Sequence, residues 1–190
     1  MTTLFFDTET TGFVPGRICQ LSYVIDDGGF QKGKNYYFTV DHIDRQAEMV
    51  HGLSIEKLKS LSKGETFGAH HESILHDFAE ADIITAHNIR FDLGFLQHEL
   101  AQCGKRLALK DMFCTMSYFT GVMKLKRSNG ACKAPALAEL MSFLNISRSL
   151  VVETARHVFS APDTAPHDAR FDCTAVMLCY QRALDMQYII

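Results

Sequence analysis

The stretch Leu4-Phe5-Phe6-Asp7-Thr8-Glu9-Thr10-Thr11-Gly12-Phe13 opens the chain and decides how the rest is read. Leu4-Phe5-Phe6 is a short apolar run ending at Asp7, the pattern of a central strand. Strand residues i and i+2 point to one face, so the Asp7 and Glu9 carboxylates project together from the strand end. Like charges at that spacing repel, and burying them is costly. A divalent cation between them resolves both problems, and Mg²⁺ suits oxygen ligands. Taken alone, the pair also reads as the start of a polar loop, the commoner fate of so short a motif. Residues 10–16, with Gly12, Pro15 and Gly16, read as a loop.

Working outward, Ile18–Asp26 is a second strand closed by Asp27-Gly28-Gly29, and Asn35–Val40 is a third. The two pair as a hairpin with a longer loop. Ser54 caps a short helix through Leu61. Residues 71–81 carry Ile74, Phe78 and Ala81 at helical spacing, and residues 82–86 form a short strand. Residues 88–103 are an amphipathic helix with Phe91, Phe95, Leu96 and Leu100 on one stripe. Residues 135–144 form a helix with Pro135 in its first turn. Residues 168–187 form the last, with Phe171, Ala175, Leu178 and Ala183 facing the core. Segments 121–133 and 147–166 read as loops. Strands first, then helices alternating with short strands, predict an α/β sandwich.

The bulk numbers limit the function. With 190 residues, 47% of them hydrophobic, the chain forms one domain, 1–190, with one sizeable core. A net charge of −3 argues against a module that lives by phosphate contacts alone. It leaves a metal nuclease open, because carboxylate-bound cations can meet the phosphate. The six cysteines form no C-x-x-C pair and read as reduced thiols of a cytoplasmic protein. The N-terminus has no basic segment followed by a long apolar run, so neither a signal peptide nor a membrane span is expected. His70, His71 and His76 match no closed zinc spacing and read as exposed helix histidines.

Two further segments carry chemistry. In His87-Asn88-Ile89-Arg90-Phe91-Asp92, Asn88 and Asp92 are four apart at a helix start, where the dipole favours a carboxylate. In His167-Asp168-Ala169-Arg170-Phe171-Asp172, after Pro166, His167 begins a helix and Asp172 lies about one turn in. Histidine as a residue type titrates near neutrality and can take a proton from water. Singly, Asp92 also reads as a solvated helix carboxylate, and His167 as a side chain capping or lining a loop, the commoner fate of a lone histidine. Together, four carboxylates and one histidine at element ends fit two-metal phosphodiester hydrolysis, with cations about 3.5–4 Å apart.

These segments resemble the DnaQ-like, or DEDDh, exonucleases of the RNase H-like superfamily. The resemblance rests on FFDTETTGF (5–13), AHNIRFDLGFL (86–96) and HDARFDCTAV (167–176), supported by VHGLS (50–54) and KAPALAELMSFL (133–144). It implies an RNase H-like fold: a five-stranded mixed sheet, its second strand antiparallel to the rest, with helices on both faces. It implies two Mg²⁺ or Mn²⁺ ions held by Asp7, Glu9, Asp92 and Asp172, with His167 as general base. It also implies release of nucleoside 5′-monophosphates from a 3′ end. Thr10, Thr11 and Gly12 would approach the terminal nucleotide, and His51, Asn88 and Phe91 would sit near the substrate. His167 separates this branch from one that uses tyrosine in that role. The opening D-T-E-T-T-G resembles replicase proofreading subunits more than oligoribonucleases. The chain ends soon after its last motif, without the extension by which such a subunit holds its polymerase, which argues against a polymerase partner.

The expected substrate is a single-stranded or frayed 3′ end, because a paired terminal nucleotide must first unstack. DNA is favoured over RNA. The rival readings are an RNA-trimming exonuclease of the same fold and a non-catalytic nucleic-acid-binding or polymerase-associated module. The presence of all five site residues argues against the latter. Lys124, Lys126, Arg127 and Lys133 around Asn129-Gly130 form either a backbone contact or a solvated loop.

Overall fold

A computed structural model describes residues 1–13, 16–162 and 164–189. Five strands form one sheet: β1 (Thr2–Thr10), β2 (Ile18–Asp27), β3 (Phe30–Tyr37), β4 (Ile83–Ala86) and β5 (Met112–Cys114), in the order β3-β2-β1-β4-β5. β2 runs antiparallel to β1 and β3, while β4 and β5 run parallel to β1 and to each other. The mixed five-stranded sheet expected from the resemblance is therefore the architecture found.

β1 is central because its residues are apolar on both sides. Leu4 and Phe6 point to one face and Phe5 to the other, and all three are buried. Burying a Phe side chain contributes about 1.5–3 kcal/mol, so both faces of this strand demand cover. The Leu4/Phe6 face is covered by α3 (His71–Glu80) and α4 (Ile89–Gln102), through Ile74, Phe78, Leu93, Leu96 and Leu100. The Phe5 face is covered by α5 (Thr115–Met123), α6 (Leu137–Phe143), α7 (Arg148–Phe159) and α8 (Ala169–Asp185), through Phe119, Leu140, Val151, Phe171 and Val176. A smaller cluster of Cys19, Val40, Ile43, Leu53 and Leu58 lies beneath α1 (Arg45–His51) and α2 (Ile55–Leu61). The Ser54 hydroxyl accepts from Lys57 N–H and caps α2 as expected.

Several expectations need correction. β1 continues to Thr10 instead of ending at Asp7; Val14 and Pro15 of the expected loop lie outside the described residues. The β2–β3 connection is a two-residue turn, not a longer loop. Asp27 pairs with Phe30, and Gly28 and Gly29 sit at φ 62° and 96°, a left-handed pair that glycine adopts readily. β3 starts at Phe30 and ends at Tyr37, although Phe38 N–H still donates to Cys19 across an irregularity in β2. Its first half hid from the periodicity because Lys32 and Lys34 mark it as an edge strand.

Segment 121–133 is not all loop, since α5 runs to Met123. Segment 147–166 contains a three-turn helix, α7. There Val151 and Ala155, four apart, are buried, and the Ser147 hydroxyl accepts from Leu150 N–H. Its valines masked the helical period, because β-branched residues read as strand formers. Asp163 of that segment lies outside the described residues. Pro135 precedes the α6 cap residue Ala136 instead of lying in the first turn. His70 and His71 are half-buried, with His70 against Tyr36 and bonded to Glu65; only His76 is exposed. All six cysteines are free thiols. No helix of the described residues is long and apolar enough to cross a membrane.

Candidate active site

The site forms where the C-terminal end of β1 meets the N-terminal ends of α4 and α8. Asp7 and Glu9 share the face of Phe5, which is the face α8 covers. α8 begins at Ala169, so Asp172 lies in its first turn and turns back onto the strand. Carboxylate oxygens of Asp7, Glu9 and Asp172 all lie within 4.8 Å of one another.

Asp92 arrives from the other side of the sheet. It is buried in the first turn of α4. Its Oδ1 accepts from Thr8 N–H at 3.1 Å and from the Thr8 hydroxyl at 2.8 Å. Thr8, between the two acidic residues in sequence, points to the opposite face, and this alternation delivers a fourth carboxylate to the cluster. Sequence reading had no role for Thr8; the odd position in D-T-E was the available signal.

Burial and mutual repulsion raise these carboxyls. Burial, then the charges of Asp92, Asp172, Glu9 and Asp168, holds Asp7 well above the ordinary range. Burial, then Asp172, Asp168 and Asp92, pushes Glu9 up to about 8. Burial moves Asp92 to about 7 against the bonds from Thr8, and Asp172 to about 6 against the bond from His167 N–H. A set of four crowded oxygen donors, destabilised as bare anions, fits a hard divalent cation. Asp7, Glu9 and Asp172 are the residues that can close on one ion together, with Asp92 beside them.

His167 is exposed, at φ 66°, and its backbone N–H donates to Asp172 Oδ2 at 2.9 Å. The next residue, Asp168, caps α8 and is clamped by Arg170 Nε and Nη2 at 2.9 and 2.5 Å and by Gln20 Nε2 at 3.0 Å. Burial pushes the Asp168 carboxyl up, but the Arg170 bond and charge outweigh it and hold it low. Gln20 pairs with Glu9 across β1 and β2, so this clamp ties the His167 turn to the strand carrying the acidic pair. The register shifts just beyond, where Thr10 pairs with Ile18. Such irregularities recur beside active sites because they re-aim the chain.

The expected substrate residues divide. Thr10, Gly12, His51 and Phe91 line one groove of about 510 Å³ beside Thr8 and Glu9. A Cβ at Gly12 would meet the exposed Asp44 carboxylate, with Oδ2 at 2.1 Å, so any side chain there requires Asp44 to swing away. Burial lowers the His51 pKa, and its Nδ1 accepts from Leu53 N–H at 3.0 Å, so the ring is neutral with its proton on Nε2. Thr11 does not line the groove; it is buried, with its hydroxyl accepting from Arg17 N–H and its carbonyl from Asp44 N–H. Asn88 precedes α4 in a left-handed conformation at φ 71°, so it does not share the Asp92 helix face, and it is exposed outside the groove. Sequence reading missed Phe13, Gln46, Ala47, Met49 and Val50, which complete the lining. Four come from α1, whose signals were present: Asp44 before it and Gly52, at φ 67°, after it. Phe13 is 76% exposed and meets Phe91 at 6.2 Å between ring centroids. A second groove, of about 620 Å³, opens on His167 and Asp172 and is walled by Leu137, Met141, Ile146 and Arg148.

A strand-borne acidic pair met by one carboxylate from each helical layer defines a class, and the comparisons agree with it. The chain belongs to the DnaQ-like exonuclease family: the family model RNase_T, described as exonuclease, matches residues 4–180. Among particular relatives, it is 31% identical over 134 residues to the DNA polymerase III subunit epsilon of Rickettsia prowazekii (strain Madrid E), covering 67% of this chain and 56% of that one. Its fold matches E. coli exonuclease I in complex with a dT13 oligonucleotide, at TM-score 0.74 and 17% identity, over 98% of this chain and 42% of that one. Exonuclease I from Methylocaldum szegediense matches at TM-score 0.75 and 14% identity, over 98% and 41%. The chain thus spans just over half of the curated relative and about two fifths of these solved structures.

Proposed function

We propose that this chain, as a single catalytic unit over residues 1–190, is a metal-dependent 3′→5′ exonuclease. It removes nucleoside 5′-monophosphates from single-stranded or frayed DNA ends. The observation that carries this reading is the convergence of Asp7, Glu9 and Asp172 within 4.8 Å, with Asp92 bonded to the intervening Thr8. Asp7, Glu9, Asp92 and Asp172 hold two Mg²⁺ or Mn²⁺ ions. When bound, such ions supply an acidified water and charge stabilisation at the phosphate.

The chain's own residues do the rest. His167, tied through its backbone to Asp172, takes the proton from the attacking water as the bond to the leaving 3′ oxygen breaks. Thr10, Gly12 and the neutral His51 shape the groove that receives the terminal nucleotide. Phe13 and Phe91 offer faces on which a base stacks without regard to sequence. An unpaired end enters most readily, because a paired base must first leave its stack. The E. coli exonuclease I structure with bound dT13 supports the choice of DNA.

The test is a digestion panel of single-stranded DNA, duplex DNA with mismatched 3′ ends, and RNA, each with Mg²⁺ or Mn²⁺. Shortening from the 3′ end of DNA with release of 5′-monophosphates is expected. Shortening from the 5′ end, or equal turnover in EDTA, overturns the reading; preference for RNA overturns the substrate assignment.

A further inference from the structure

We propose that the hairpin 124–133 is a second nucleic-acid contact, in which Lys124, Lys126 and Arg127 hold backbone phosphates of the strand upstream of the 3′ end. This rests on the exonuclease reading and extends it beyond the terminal nucleotide. Three cations stand within four residues, all exposed, on a chain of net charge −3. Among the described residues none of the three pairs with a carboxylate, whereas Lys133 at the hairpin's base pairs with Glu139 at 2.5 Å. Crowded like charges without counter-charges are unfavourable, and an external anion relieves them.

The segment is built as a hairpin. Arg127 N–H donates to Ala131 O at 2.8 Å, Gly130 N–H to Arg127 O at 2.8 Å, and Lys133 N–H to Leu125 O at 2.9 Å. Asn129 Oδ1 accepts from Ala131 N–H at 3.1 Å, and Lys126 bridges Cys132. This order is achieved with almost every residue of the hairpin exposed, so packing does not explain it.

Its returning strand is fastened to the rim of the site on two sides. The Pro135 carbonyl accepts from His87 Nε2 at 3.0 Å, and His87 precedes the Asn88 that opens α4. Glu139, the partner of Lys133, also accepts from Ala136 N–H at 2.8 Å, and Ala136 lines the groove that holds His167 and Asp172. This attachment sets the three cations on a hairpin adjoining the groove of His167 and Asp172, where a strand whose 3′ end lies at Asp172 could meet them. The hairpin carries no aromatic side chain to stack on bases, so its contact positions the strand instead of reading its sequence.

The test compares the whole chain with a variant carrying Lys124→Gln, Lys126→Gln and Arg127→Gln. The substrates are a 20-nucleotide oligodeoxythymidine and the 4-nitrophenyl ester of thymidine 5′-monophosphate, which has no upstream phosphates. Each phosphate contact on a single strand adds about 0.7 to the slope of log affinity against log salt. Between 50 and 200 mM salt, the wild-type KM for the oligonucleotide should therefore rise roughly twentyfold more than the variant's. Turnover of the ester should be equal in both. Arg127→Gln alone should remove about a third of the slope difference. Equal salt slopes for wild type and variant overturn the hairpin's role and leave the exonuclease reading standing. A wild-type chain that cleaves neither substrate overturns the exonuclease reading and the proposal with it.

Discussion

Asp92 and Asp172 approach the end of β1 from opposite faces of the sheet, and they are held in opposite ways. Asp92 is locked to the strand itself, through both the backbone and the hydroxyl of Thr8. Asp172 is held by a turn, through the N–H of exposed His167 in a left-handed conformation. The first arrangement makes a fixed point, since a charge-assisted bond inside the fold resists displacement. The second joins a carboxylate to an exposed histidine, the residue proposed above to take a proton from water, a role that needs solvent access. The Asp168–Arg170–Gln20 clamp anchors the turn one residue away from exposed His167.

The largest effect should come from removing a carboxylate of the cluster that both arms reach. Asp7→Ala or Asp172→Ala, or EDTA on the wild type, should take release of nucleotide from labelled single-stranded DNA below detection. Undiminished digestion by either variant removes the metal assignment. Next, His167→Ala should cost roughly two to four orders of magnitude in kcat, the range for loss of a general base. The exposed position predicts an unchanged melting temperature, and near-normal kcat across the pH range would take His167 out of the reaction.

The carboxyl cluster also predicts a pH dependence of stability without metal. Each of these carboxyls binds its proton more tightly in the fold than in an unfolded chain, so protonation favours the fold. That contribution is complete below about pH 4 and is lost as pH rises through about 6 at Asp172, 7 at Asp92 and 8 at Glu9. Metal-free protein should therefore melt at progressively lower temperature between pH 5 and 9. Mg²⁺ should restore the loss at pH 8.5 and do little at pH 5, because binding must displace protons. A flat melting profile in EDTA would show that the cluster is not strained. The smallest effect should be Thr8→Val, which removes the hydroxyl bond to Asp92 and keeps the backbone one. It should cost about 1 kcal/mol, or about 2–4 °C in Tm, and lower kcat less than tenfold. A loss as large as that of Asp172→Ala would reverse the contrast between the two arms.

Much of this was legible in the primary structure, for identifiable reasons. β1 announced itself because Leu4, Phe5 and Phe6 are apolar on both faces, and α4 because Leu96 and Leu100 lie four apart. The acidic pair followed from strand alternation alone. β3 was cut short because an edge strand has little to bury, and α7 was lost because Val151 and Val152 obscured a helical period. α1 passed unread although Asp44 and Gly52 bracket it, and four lining residues of the groove beside Thr8 and Glu9 went with it.

The sequence by itself determined the chemistry: which carboxylates exist, that Asp7 and Glu9 share a face, and that a histidine precedes the last acidic residue. These are short-range facts, governed by the two-residue and 3.6-residue periods of the backbone. Only the tertiary structure decided that Thr8 carries Asp92 to the cluster from the far side of the sheet. It alone placed Thr11 and Asn88 outside the groove, and it brought Phe13 and α1 into it. Those outcomes depend on which layer covers which face of β1, and burial across the whole chain settles that.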